Sequence, residues 1–194
     1  MNKLFIFFSI LFFQLFLSQK SEIKYIKYEN EIFSFELPSE IWGIPSQKLI
    51  ENFKTNEKKI SLENKIVYKD FDFLISYKNN EDFSQLYTPL IKITTGKANK
   101  NSFEKMKKEF GTDYIEGNFS IDNRKSSYNL KPVIDSKNRT IILSTHVDGI
   151  YGLSKLFFSD NYIVQFTYSD FEKDQCIECL VIYINCLEKK FKFK

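Results

Sequence analysis

His146, Cys176, Cys179 and Cys186 are the side chains whose types and spacing invite chemistry. A triad or general base built on His146 needs a nucleophile and an acid beside it in space. Neither Ser144 nor Ser154 stands in a nucleophile-elbow context, and Asp148 is accounted for by the turn it forms with Gly149. The segment Cys176-Ile177-Glu178-Cys179 has the form of a redox C-x-x-C. A reactive thiolate needs a helix N-terminus or a cation, however, and Asp174 and Glu178 would raise the Cys176 pKa instead. A Cys3His zinc site with His146 is formally available, but C-x2-C-x6-C on one continuous helix cannot readily wrap a tetrahedron. Three small apolar residues filling one buried helix face is the simpler account of the cysteines. There is no Gly-rich phosphate loop, paired-His metal motif or dinucleotide fingerprint. The residue pattern therefore supplies no catalytic residue, cofactor site or metal site.

The element that would carry the cysteines is the C-terminal one. Ile150–Phe158 and Tyr162–Tyr168 read as a hairpin around Ser159-Asp160-Asn161. Ser169 with Glu172 then has capping-box spacing. The helix that follows has acidic residues Asp170, Glu172 and Asp174 at its start and Lys189-Lys190 at its end. Asp174, Glu178, Asn185 and Lys189 share one stripe, opposite Cys176, Cys179, Leu180, Tyr183, Cys186 and Leu187. A strand through Leu180–Ile184 is the competing reading, and it leaves the caps unexplained.

The chain has 194 residues, 43% hydrophobic and 17% aromatic, with 21 Phe and 11 Tyr, which suits one domain with one sizeable core. Lys3 followed by the apolar run Leu4–Leu17 and Ser18 reads as a signal peptide over residues 1–18, with a single domain over 19–194. Phe16 makes the cleavage site imperfect, so an uncleaved N-terminal anchor is the alternative. With a formal net charge of +3, one unit of it from Lys3, there is no electrostatic case for nucleic acid. An odd number of cysteines leaves at least one free or paired with another molecule.

From the N-terminus, Ile23–Tyr28 and Ile32–Leu37 are expected as strands, Pro38 as a stop and Trp42 as a core plug. Ser46–Lys59 is expected as a helix, followed by strands Ile60–Tyr68, Phe71–Tyr77 and Leu90–Thr94. A second helix runs from Asn101 or Ser102 to Phe110, with Glu104 placed for a cap and Gly111 as its stop. Its Lys105, Lys107 and Lys108 read as a solvated face, with a membrane-surface patch, which usually takes a denser basic cluster, as the alternative. Gly117, Asn118, Asp122, Asn123 and Pro132 interrupt the pattern between Thr112 and Asn138, which is expected to hold long loops, among them Arg124–Lys131. Because loops on a rigid scaffold often bind, Arg124, Lys125 and Tyr128 are candidate partner contacts. Arg139–Val147 resumes as a strand and Asp148-Gly149 is a strong hairpin turn.

Phe33-Ser34-Phe35-Glu36-Leu37-Pro38 with Trp42, the strand Pro89–Thr94 followed by the helix Ser102–Phe110, and the closing hairpin, helix and Phe191-Lys192-Phe193 resemble the PsbP-like family in order and spacing. The resemblance implies an α+β fold: an αβα sandwich with a mainly antiparallel sheet and about three helices. It also implies an accessory or binding part rather than a reaction, and it brings no catalytic motif to this sequence. The expectation is thus an exported protein, periplasmic or extracellular, without cofactor, whose partner is another envelope or exported protein. Val181 and Ile182, near the polar stripe of the last helix, join Arg124, Lys125 and Tyr128 as candidate contacts. A carrier of an apolar ligand, with a cavity between sheet and helices, is the alternative. A hydrolase built on dispersed Asp and Glu is a third.

Overall fold

The computed structural model describes residues 24–40, 42–63, 68–77, 90–111, 115–121, 124–147, 150–171 and 190–194. Eleven strands and two helices lie among them: β1 (Tyr25–Glu29), β2 (Phe33–Pro38), β3 (Trp42–Gly43), α1 (Gln47–Glu63), β4 (Phe73–Tyr77), β5 (Leu90–Lys97), α2 (Ser102–Phe110), β6 (Ile115–Ile121), β7 (Arg124–Asp135), β8 (Thr140–Val147), β9 (Ile150–Phe158), β10 (Tyr162–Phe171) and β11 (Lys192–Phe193). The eight strands from β3 to β10 form one sheet in the order β3-β4-β5-β10-β9-β8-β7-β6, and β1-β2-β11 form a second. The pairings are antiparallel throughout, so the chain is α+β and dominated by sheet.

Period-two alternation decides which side of the large sheet meets what. Ile75, Ile91, Ile93, Phe157, Val164, Phe166 and Tyr168 point to one face and are buried with Tyr28, Phe33, Phe35 and Leu37 of the small sheet. Phe35 is the hub of that interface, stacked on Tyr28 at 5.0 Å and edge-on to Phe166 at 5.0 Å. Trp42 plugs the same cluster, as its position after Pro38 suggests. The opposite face carries the helices. Phe103 of α2 sits edge-on to Phe158 at 5.3 Å over Ile141, Leu143 and Leu156. α1 is held beside β4 and β5 by Phe53 against Phe71 and by Glu57 paired with Lys92 at 2.7 Å.

The two long hairpins of the C-terminal half form in the expected register. Val147 pairs with Ile150 across the two residues Asp148-Gly149, and Ile163 pairs with Phe158. Gly111 ends α2 with φ 59°, a value that favours glycine, and its N–H donates to the Lys107 carbonyl. The cap at the other end differs from expectation. Asn101 makes no side-chain cap bond; instead the Asn99 N–H donates to Ser102 Oγ, and the Asn101 N–H to Asn99 Oδ1. Glu104 faces Lys107 at 3.9 Å.

Three other expectations are corrected. Ile60–Glu63 is the last turn of α1, not the start of a strand. Ile60 and Leu62 are 55% and 80% exposed, so no sheet face rewards their alternation, while Lys59 and Glu63 make an i,i+4 pair. The stretch expected as long loops is the hairpin β6–β7, in which Asp122-Asn123 separates the pair Ile121↔Arg124. Pro132 fits β7 because it lies beyond the last β6 pair, Ile115↔Leu130, where the strand is flanked on the β8 side. Ser169 lies within β10 rather than at a helix start: it pairs with Leu90, and β10 runs on to Phe171 past an irregularity after Tyr168. The helix expected to follow, with its three cysteines, Val181 and Ile182, lies outside the described residues.

Candidate functional site

An acid–base site would show itself by carboxylates that converge and hold their protons. The shifted carboxylates here do the reverse. Glu29 is held below the usual range by hydrogen bonds from Lys27 and Lys194, Asp70 by Lys54, Asp135 by the N–H and amide of Asn138, and Asp160 by Arg139. Each is tied to its own cation or turn in a different part of the surface, and none is primed as a general acid. Among the described residues no group of His, Cys, Asp and Glu could hold a metal. His146 is placed in β8 between Asn129 of β7 and Tyr151 of β9. No helix among the described residues is long and apolar enough to cross a membrane.

The sequence-based candidates Arg124, Lys125 and Tyr128 fall together on β7, in a strand where a loop is expected. Registers show what is unusual about that strand. The last β7–β8 pair is Tyr128↔Val147, whereas β6 and β7 continue to pair from Asn118↔Ser127 to Ile121↔Arg124. Four pairs therefore form a two-stranded arm running about 13 Å past the end of β8, at ~3.4 Å per residue. In the β6–β7 register Arg124 and Lys125 form the two pairs nearest the tip, with Ile121 and Ser120, and Tyr128 pairs with Gly117 at its base.

A concave feature lies at the other end of the large sheet. A cleft of about 420 Å³ is lined by Asn138, Thr140, Phe157, Phe158, Phe191, Lys192 and Phe193. Phe157 and Phe191 stack at 4.0 Å, and Phe193 stands edge-on to Phe191 at 5.0 Å. The position is set by β11, which pairs Phe193 with Phe33 and so brings the C-terminal aromatics over the Thr140↔Phe157 pair. The expected cavity between sheet and helices is not what these residues form: the cleft opens between the two sheets. Thr140 is 3% exposed.

On the outer face of the small sheet a second recess of about 560 Å³ is lined by Lys27, Ser34, Phe35, Glu36, Lys190 and Lys192. Lys190 pairs with Glu36 at 2.9 Å, and Glu29 serves both Lys27 at 2.7 Å and Lys194 at 3.2 Å. Lys192, between Lys190 and Lys194 and lining both recesses, makes no ion pair among the described residues. Lys155 is a further feature that sequence reasoning missed. It is fully buried on the core face of β9, with Nζ 5.3 Å from the centre of the Phe157 ring. The signal for it was present: Leu153, Lys155 and Phe157 share one parity on a strand whose Phe157 points inward.

No family model and no curated protein matches the sequence. Among solved structures, the solution structure of cyanobacterial PsbP (CyanoP) from Synechocystis sp. PCC 6803 is similar to this chain. It shares 7% identity and a TM-score of 0.42 over 91% of this chain and 96% of that one.

Proposed function

We propose that this chain is an exported, non-catalytic protein that works by docking on another exported or envelope protein through the β6–β7 arm. The observation that carries the reading is the register offset that leaves four β6–β7 pairs without a third strand beside them among the described residues. A two-stranded ribbon is marginal in water by itself. A ribbon whose sequence carries Phe119 and Ile121 gains from a partner that covers it. The depressed carboxylates speak against acid–base catalysis, and the apolar run Leu4–Leu17 speaks for export. The near-neutral charge balance speaks against nucleic acid.

The test is affinity capture of the tagged protein from native envelope extract, run beside a Phe119→Ser/Ile121→Ser variant. One partner at near-equal stoichiometry, lost with the variant while the thermal melt is retained, is the expected result. Equal capture by both forms, or no stoichiometric partner, overturns the reading.

A further inference from the structure

We infer that the open edge of β11 accepts an extended segment of a partner protein, one in which apolar and acidic side chains alternate, as a fourth strand of the small sheet. This goes beyond docking through the arm and does not depend on it. The order β1-β2-β11 leaves β11 without a neighbour on its far side among the described residues. The Lys194 N–H donates to the Ile32 carbonyl at 2.9 Å, and the direction of the main-chain groups alternates along a strand. Lys192 and Lys194 therefore turn theirs to β2, whereas the N–H and C=O of Phe193 point to the open side. An added strand joins unpaired edges of this kind. Beyond that edge the apolar floor continues. The cleft of about 420 Å³ lies on the face of the large sheet that the small sheet covers, because Thr140 pairs with the inward-pointing Phe157. Phe191 and Phe193 form its other side. Farther out on the same face, Val133 of β7 pairs with Ile142, which packs against the inter-sheet core, yet Val133 is 55% exposed. A fourth strand would lay its inward side chains over these groups, and apolar ones gain about 25 cal/mol per Å² of apolar surface covered.

Charge selects the outward side chains of that segment. The register sets Phe193 opposite the buried Phe33, on the inner face, and Lys192 opposite Ser34, on the outer one. Lys190 and Lys194 share the outer face and reach back across the sheet to Glu36 at 2.9 Å and Glu29 at 3.2 Å. Lys192, exposed between them, makes no ion pair among the described residues. Outward side chains of an added strand stand directly beside this row of three lysines, so acidic ones meet cations and basic ones meet like charge. A neutral strand would gain the apolar floor alone.

The experiment is fluorescence anisotropy of labelled heptapeptides with the purified full chain. The probe alternates glutamate and valine; one control has the same residues in two blocks, and another carries serine in place of valine. Saturable one-to-one binding of the alternating probe, tighter than that of either control and weakened by salt, is expected. Lys192→Gln should weaken the probe about two- to fivefold, the reach of one exposed charge pair. Lys27→Gln should weaken it less. Its strand β1 would lie three spacings from the added strand, about 14 Å at ~4.8 Å each, and exposed charges more than about 8 Å apart are largely screened at physiological salt. Absence of saturable binding overturns the inference, and so does a block or serine peptide that binds as tightly as the probe. Equal weakening by the two substitutions overturns it too, because the charge would then act over the whole sheet and not at β11.

Discussion

Replacing Tyr168 by Phe should make this protein more stable. Tyr168 is 0% exposed in the interface between the two sheets, and its hydroxyl has no hydrogen-bond partner among the described residues. A hydroxyl buried without a partner costs about 1–3 kcal/mol by the measure of protein substitutions. Removing the oxygen leaves a void on the order of 10 Å³, which at about 24 cal/mol per Å³ returns only ~0.2 kcal/mol of that. The net expectation is a gain of about 1–2 kcal/mol, or roughly 2–8 °C in Tm for a chain of this size. Urea denaturation should show a higher midpoint with an unchanged slope, since the surface exposed on unfolding is the same. The alkaline limb supplies a second readout with its own sign. Burial pushes the Tyr168 hydroxyl well above its ordinary value, and the same cause pushes Tyr28 up to about 12. The folded state therefore keeps a proton that the unfolded state gives up above pH ~10, so stability is whole below that pH and is lost as pH rises past it. Tyr168→Phe removes this loss, and its advantage over the wild type should widen above pH ~10 by up to about 1.4 kcal/mol per unit. A variant less stable than the wild type by about 1 kcal/mol at neutral pH would show that the hydroxyl is bonded, and would refute the reasoning.

Two further substitutions probe the local structure. Gly111→Ala forces a Cβ onto φ 59°, ψ −158°, a region that is nearly glycine's alone, and should cost about 1–3 kcal/mol in urea denaturation; a loss under ~0.5 kcal/mol would refute that account of the α2 terminus. Tyr28→Phe removes a second hydroxyl that is buried without a hydrogen-bond partner among the described residues, so it should stabilise by about 1–2 kcal/mol. Differential scanning fluorimetry checks it, and a clear drop in Tm would show that the hydroxyl is bonded.

Much of the frame was legible because strand alternation survives in the sequence wherever one face is buried. Phe33, Phe35 and Leu37 against Ser34 and Glu36 gave β2 and its inner face, and the register across Asp148-Gly149 is the one that a two-residue hairpin demands. Reading failed where a residue's usual meaning was overridden by its neighbours. Asp122-Asn123 looked like one more break in a loop, yet two residues between Ile121 and Arg124 are a hairpin connection. Pro132 looked like one more break in the pattern, yet it pairs with Leu143 in the β7–β8 ladder, past the last β6 pair. The run from Ile60 looked β-branched enough for a strand, and helix continuation won because Ile60 and Leu62 are exposed, so no buried sheet face rewards their alternation. Of the candidate contacts, Arg124, Lys125 and Tyr128 lie together for a reason other than the one expected, on a strand of a hairpin rather than in a loop. The cleft was beyond reach of local pattern. It joins Thr140, Phe157 and Phe191–Phe193, which meet only because β11 returns to pair with β2.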